Sequence, residues 1–327
     1  MAEPSSLSPG TKFSVADVRS RSLKKRDSWW TILFVDPVAI RLCVLIANRT
    51  SITPDQLTVS AFLLGLVASW FFWQATNESL VIGAIIYHIS FTLDCVDGKL
   101  ARLKGTGSLF GSWLDWTFDR FRVFATSLAL MTGQYELTGN QVFLYLAALV
   151  IFLDMLRYID ALMISKIQMQ MKQRIVAAKR AMRIALSEDD LAAETGQDDE
   201  DVQDVVRNPI SSATVRGELQ REFKARFPWY LRIRDQLMSW RVRPHLFSGI
   251  EYQMFVFILG PVSGQIVGFT VASSALLVMF EIVILYKLHL SLRDMERLVT
   301  KIHTGEFEVP PKLSPPSVVR PDERRTQ

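Results

Sequence analysis

Apolar residues in this chain fall in long blocks rather than in the spaced stripes of a soluble helical protein. Leu57–Ala75, Leu80–Leu93, Val123–Met131, Val142–Leu153, Tyr252–Val262 and Ile266–Leu288 are nearly free of Lys and Arg. Crossing a bilayer takes ~20 mostly apolar residues. Several blocks reach that length once the polar turns beside them are counted. The pattern predicts an all-α, polytopic membrane protein with six spans, at about 57–75, 79–101, 110–133, 141–165, 247–263 and 266–290. Trp29–Arg49 is apolar too, but Pro37 interrupts it and removes a backbone donor. The expectation there is an N-terminal interfacial helix, anchored by Trp29 and Trp30, with Arg41 and Arg49 reaching water. Thr53-Pro54-Asp55-Gln56 carries the signature of a sharp helix start, with Thr53 as N-cap and Gln56 closing a capping box.

Charge gives this topology a direction. The expected outer turns, Thr76–Ser79, Gly133–Gln141 and Gly260–Gln265, contain no Lys or Arg. The opposite side receives Arg19–Arg26, Lys99–Lys104, Lys166–Arg243 and the tail from Lys287. The positive-inside tendency then places both termini in the cytoplasm. For a prokaryotic source, the membrane would be the plasma membrane. No apolar region with a cleavage site opens the chain. Cys43 and Cys95 make no disulfide framework and are expected to pack. The four His residues lack metal-ligand spacing, and His88 is expected to pack between helices.

These patterns divide the chain into a flexible N-terminus (1–28), an interfacial helix with four spans (29–165), a charged cytoplasmic insertion (166–246), two further spans (247–293) and a tail (294–327). Within the insertion, Ser187–Asp204 is acidic and expected to be solvated. Arg216–Arg243 is basic and carries Phe223, Phe227, Trp229, Tyr230 and Trp240. That composition suits an anionic membrane surface rather than a nucleic acid polymer.

Four aspartates stand out against this background. Asp94 and Asp97 are three residues apart, and Asp115 and Asp119 are four apart, so each pair shares a helix face. The pairs fall at the end of the second span and the start of the third, joined by the short turn Lys104–Gly107. Four carboxylates at one antiparallel helix junction repel one another unless they hold a cation. Hard divalent ions such as Mg²⁺ or Mn²⁺ take oxygen ligands, and four carboxylates suffice for two ions ~3.5–4 Å apart. A structural ion-pair network would need several cationic partners. Arg102, with Arg120 or Arg122, is the near supply. Gly98, Ala101 and Gly111 lie one turn from the acids and allow close approach of a helix or a flat ligand. Arg102 and Ser108 suit a phosphate.

The run Asp94-x2-Asp97-Gly98-x2-Ala101-Arg102-x8-Gly111-x3-Asp115-x3-Asp119 resembles, without gap or substitution, the motif of the CDP-alcohol phosphotransferases. Upstream, Thr53-Pro54-x3-Thr58 is similar to that family's T-P-N-x-x-T element, with Asp55 in place of Asn. The resemblance runs from about Asp27 to Arg157. It implies divalent metal at Asp94, Asp97 and Asp115, with Asp119 near a second ion and acting as general base. It implies contacts to the CDP group from Gly98, Ala101, Arg102, Ser108, Thr58 and Asp55, with Gly111 a packing position. The implied reaction transfers a substituted phosphate, typically phosphatidyl from CDP-diacylglycerol, to a small alcohol with release of CMP. A water-soluble CDP-alcohol donor is the alternative, and the resemblance also implies a homodimer. A cation transporter would place its acids near the midplane of broken helices in paired repeats, and no repeat is visible.

Further intramembrane charges are candidates for substrate contact. Arg157, flanked by Asp154 and Asp160, either binds a phosphate on the acceptor or forms an internal pair with an aspartate. Glu251 and Glu281 in the last two spans raise the same question.

Overall fold

The computed structural model describes residues 12–190, 236–243 and 246–303, with side chains undescribed at 179–190 and 301–303. The described residues are helical apart from turns and one isolated bridge between Asp27 and Val242. The elements are α1 (Val15–Arg21), α2 (Asp36–Arg49), α3 (Pro54–Trp73), α4 (Asn77–Lys104), α5 (Leu109–Thr138), α6 (Val142–Asp190), α7 (Gly249–Met254), α8 (Gly260–Ser263) and α9 (Ile266–His303). The expectations for 1–11, for most of the acidic stretch and for Phe223, Phe227, Trp229 and Tyr230 lie outside the described residues, as does the tail from 304.

Five described helices are long and apolar enough to cross a membrane: Thr31–Arg49, Pro54–Trp73, Asn77–Lys104, Val142–Ala178 and Ile266–Thr300. Four coincide with expected spans, and the fifth, Thr31–Arg49, covers the segment expected to lie in the interface but is itself long and apolar enough to cross. Large apolar side chains point outward from these helices, among them Leu63, Trp70, Ile85, Tyr145 and Ile282. An aqueous surface would penalise that arrangement, while lipid accommodates it. The chain is thus an integral membrane protein by helix length and outward apolar surface. The expected spans at 110–133 and 247–263 do not meet the same measure. The first becomes α5, whose Asp115, Asp119, Arg120 and Arg122 lower its hydropathy; the second is broken into α7, a π-helical turn over Phe255–Leu259, and α8.

Local chemistry sets the helix boundaries. Thr53 and Gln56 form the expected capping box at the start of α3. Thr76 caps α4 through the Ser79 amide, and Ser108 caps α5 through the Gly111 amide. Gly105 ends α4 in the left-handed region at φ 66°. Two expectations are corrected. Pro37 does not interrupt its helix: a π-helical turn over Thr31–Val35 leads directly into α2, and Pro37 falls in the first turn of that helix. Its missing donor costs little there. Gly133 does not open a turn either. Helix α5 continues to Thr138, and Gly133 lies against the Trp73 backbone, where no side chain fits. The turn begins at Gly139, φ 70°.

Two compact units result, one from 1–165 with 223–288 and one from 166–222 with 289–327. In the first, α3 packs along α4 and α5, and Phe72, Tyr87, Leu100, Leu130, Met131, Tyr252 and Phe257 form a closed core. In the second, Met171, Ile175 and Met295 are buried together.

Candidate active site

The turn between α4 and α5 brings the acids together. One carboxylate oxygen from each of Asp94, Asp97 and Asp115 lies within 4.8 Å of the other two. Three oxygen donors this close suit a hard divalent cation, both by chemistry and by charge. Asp97 is 4% exposed, and the Thr58 hydroxyl donates to its Oδ2 at 2.5 Å. That bond leaves Oδ1 as the less encumbered donor. Thr58, expected beside the nucleotide, thus supports an acid as well as facing the pocket. Asp119 is not part of the three-carboxylate group. Its Oδ1 accepts from Arg122, while Arg120 lies 3.9 Å from Oδ2.

A cavity of about 400 Å³ opens on one side of these acids. Asp55, Thr58, Gly98, Ala101, Arg102 and Ser108 all line it, with Gly111 and Asp115. Every residue expected to meet the CDP group therefore faces one space. Gly111 has a specific steric role: a Cβ there would stand 2.5 Å from Asp55 Oδ1 and 3.0 Å from Ser108 Oγ. The missing side chain lets α3 and the start of α5 approach each other. Arg102 Nε donates to the Ser22 carbonyl at 2.7 Å, which fixes the arginine and leaves its terminal nitrogens without a hydrogen-bond partner among the described residues.

A second cavity, of about 330 Å³, opens on the other side. It shares Asp97, Gly98, Arg102 and Asp115 with the first, and adds Asp94 and Asp119. Beside Phe91, Cys95 and Lys99 on α4 and Arg120 on α5, its wall draws on distant segments: Lys24 and Asp27 before the first long helix, Arg157 and Tyr158 on α6, Arg243, and Ser248 and Gln253. Arg157 does not form the internal Arg–Asp pair considered from sequence; its Nε lies 3.3 Å from Glu281 Oε2. Asp154 is taken instead by Arg120 and by Gln253 Nε2 at 2.9 Å. Arg120 also stacks over the Tyr158 ring, 4.7 Å from its centroid. Glu251 has a local role, accepting from the Ser248 hydroxyl at 2.8 Å and amide at 3.0 Å in a capping box.

Sequence reasoning missed the depth of Arg122 and the contribution of Lys24, Arg243 and Gln253. An arginine three residues after an acid on a membrane helix was a usable signal for the first. No local signal links the others to the acids.

Comparison with known proteins agrees with the motif. Residues 51–187 match the model of the CDP-alcohol phosphatidyltransferase family. An archaetidylinositol phosphate synthase from Pyrococcus horikoshii is 44% identical over 69 residues, 21% of this chain and 35% of that protein. A bifunctional IPC transferase and DIPP synthase from Thermococcus kodakarensis is 34% identical over 112 residues, 34% of this chain and 24% of that protein. A phosphatidylinositol phosphate synthase from Corynebacterium glutamicum is 35% identical over 89 residues, 27% of this chain and 37% of that protein. The chain thus spans well under two thirds of the length of these relatives. Over residues 51–187, the segment that carries all four aspartates and the wall of the first cavity, the chain matches the CDP-alcohol phosphatidyltransferases.

Proposed function

We propose that the protein transfers a substituted phosphate group from a CDP-linked lipid to the hydroxyl of an alcohol and releases CMP. The observation that carries this reading is the gathering of three carboxylates between two cavities, one lined by the motif residues and one whose lining adds Lys24, Arg157 and Arg243 to the acids. Asp94, Asp97 and Asp115 would hold a divalent cation, Mg²⁺ or Mn²⁺, which supplies charge neutralisation at a diphosphate. The resemblance implies a second ion near Asp119.

The first cavity takes the CDP group. Arg102 offers its terminal guanidinium nitrogens to a phosphate, and Asp55, Thr58 and Ser108 supply polar contacts around it. The second takes the acceptor. Lys24, Arg157 and Arg243 would attract an acceptor carrying its own phosphate, as the names of the inositol phosphate synthases among its relatives suggest. The acceptor oxygen attacks the donor phosphorus distal to cytidine. The P–O bond to CMP breaks, CMP leaves with the electron pair, and the acceptor proton passes to Asp119. Oδ2 is the oxygen suited to that proton, because Arg122 occupies Oδ1. A six-span topology with both termini cytoplasmic would put this chemistry at the cytoplasmic membrane face, and a homodimer is the expected assembly.

The test is CMP release by the purified chain in lipid vesicles with Mn²⁺ and CDP-diacylglycerol, across a panel of alcohols that includes inositol phosphate. The expected result is release that depends on the acceptor and is lost in Asp119→Asn. Release with water-soluble CDP-alcohols alone would move the donor to that class. No release with any donor from folded protein would overturn the reading.

A further inference from the structure

Arg122 is an unusual residue for the interior of a membrane helix bundle. It is 2% exposed and is the largest of the fully buried side chains among the described residues. Burying an arginine is costly unless its charge is matched. Here it is matched twice. Nη1 lies 3.1 Å from Asp94 Oδ1 on α4, and Nη2 bonds Asp119 Oδ1 on its own helix. One guanidinium therefore links the two helices that carry the acids.

The slot that holds it is built by a third helix. Gly65 on α3 faces the arginine stem, and a Cβ at that position would stand 2.6 Å from Arg122 Cδ and 2.7 Å from Cγ. Any side chain at 65 would push the stem aside. Beside it, Ser90 on α4 donates to the Ala61 carbonyl at 2.6 Å, and on the far side Ser69 and Thr126 share a hydrogen bond of 3.0 Å between α3 and α5. The slot is thus fixed on either side by polar contacts between helices.

This arrangement makes the four acids unequal. Asp94, Asp97 and Asp115 are gathered as a donor set, whereas Asp119 is drawn out of it by a resident positive charge. We propose that Arg122 is a positioning residue that takes the place of a second divalent ion while no substrate is bound, so that the free protein holds one such ion. The arginine neutralises Asp119 through Oδ1, keeps that residue in the wall of the acceptor cavity, and leaves Asp94 one oxygen for the divalent ion. It also repels a further cation from the Asp94–Asp119 side. A second ion would join only when a diphosphate brings negative charge to offset that repulsion. The proposal rests on the metal-binding reading given above.

The test is a Mn²⁺ titration of the full chain in detergent without nucleotide, with free Mn²⁺ read by electron paramagnetic resonance. The wild type is expected to bind one ion per chain. Arg122→Met is expected to bind two, the second at least ~10-fold tighter than any second ion on the wild type, as befits loss of a unit charge a few ångströms away. Its thermal midpoint should rise more on adding Mn²⁺ than the wild-type midpoint does, because the ion replaces the missing cation. Gly65→Ala keeps the charge but displaces the stem, and should also admit a second ion; it decides the matter if Arg122→Met does not fold. Two ions of similar affinity on the wild type would overturn the proposal, as would unchanged stoichiometry in folded variants. A wild type that binds no Mn²⁺ would instead overturn the metal-binding reading beneath it.

Discussion

The two cavities that meet at the acids are built in opposite ways. The one lined by Asp55, Thr58, Arg102 and Ser108 draws its wall from residues 54–115, and its acids are set by two capped helices and a short turn. The one lined by Lys24, Arg157, Arg243 and Gln253 draws its wall from segments far apart in the chain, held by contacts such as Trp29 Nε1 to the Leu246 carbonyl at 2.8 Å and Arg241 Nη2 to the Lys24 carbonyl at 2.9 Å. A fixed nucleotide group can be served by a local motif. A variable acceptor is more readily served by a wall whose parts come from separate segments, each free to change without disturbing the others.

The shared floor offers the strongest way to break this comparison. Asp97 lines both cavities, so Asp97→Asn should lower turnover by at least ~10³-fold with both substrates saturating, with helix content unchanged by circular dichroism. A change confined to the KM of one substrate would show that the floor is not shared. A smaller effect separates the two walls. Arg102→Ala should raise the KM for the CDP-linked donor by ~10–100-fold, the scale of one charge-assisted hydrogen bond, with little change for the acceptor. Arg157→Ala should do the converse. Steady-state kinetics with each substrate varied in turn checks both, and parallel shifts in both constants would merge the cavities into one site.

The smallest effect concerns the N-terminal arm that leads to Lys24. Hydrogen bonds from the Ser14 hydroxyl and amide to Asp17 Oδ2 hold that carboxyl below its usual range. A lowered native pKa contributes stability above the ordinary carboxylate value of ~4, and that stability is lost as pH falls through the native value. Protection of the Val15–Arg21 amides, measured against the unstructured exchange rate at each pH, should therefore fall only below about pH 4. In Ser14→Ala, which removes the N-cap hydroxyl, protection should be lower already at neutral pH, and the further loss below about pH 4 should be smaller. Equal profiles would mean that the arm is held from elsewhere, for example by the paired bonds between Phe13 and Asn48 at 2.8 Å.

The same contrast explains what could be read from the chain in advance. The acids, their glycines, the cap at Thr53 and the turn Lys104–Gly107 act over a few residues, where spacing alone fixes geometry. Gln253 was invisible because it reaches Asp154 across 99 positions. Pro37 and Gly133 misled for a related reason. Each is a breaker by local preference, yet a π-helical turn accommodated the first and close contact with Trp73 explained the second. Arg120 and Arg122 were weighed only as possible partners for the acids. Burial within the bundle gives Arg122 both Asp94 and Asp119 and gives Arg120 Asp154, and sequence spacing carries no information about depth.

The reach of the second wall also bears on how the protein is made. Ribosomes add ~5–20 residues per second, so Arg243 and Gln253 emerge ~6–27 s after Asp119. Through that interval α4 and α5 can already pair and gather their carboxylates, while one side of the cavity is still unmade. A nascent chain would therefore acquire its acid cluster before the enclosure that selects what reaches it.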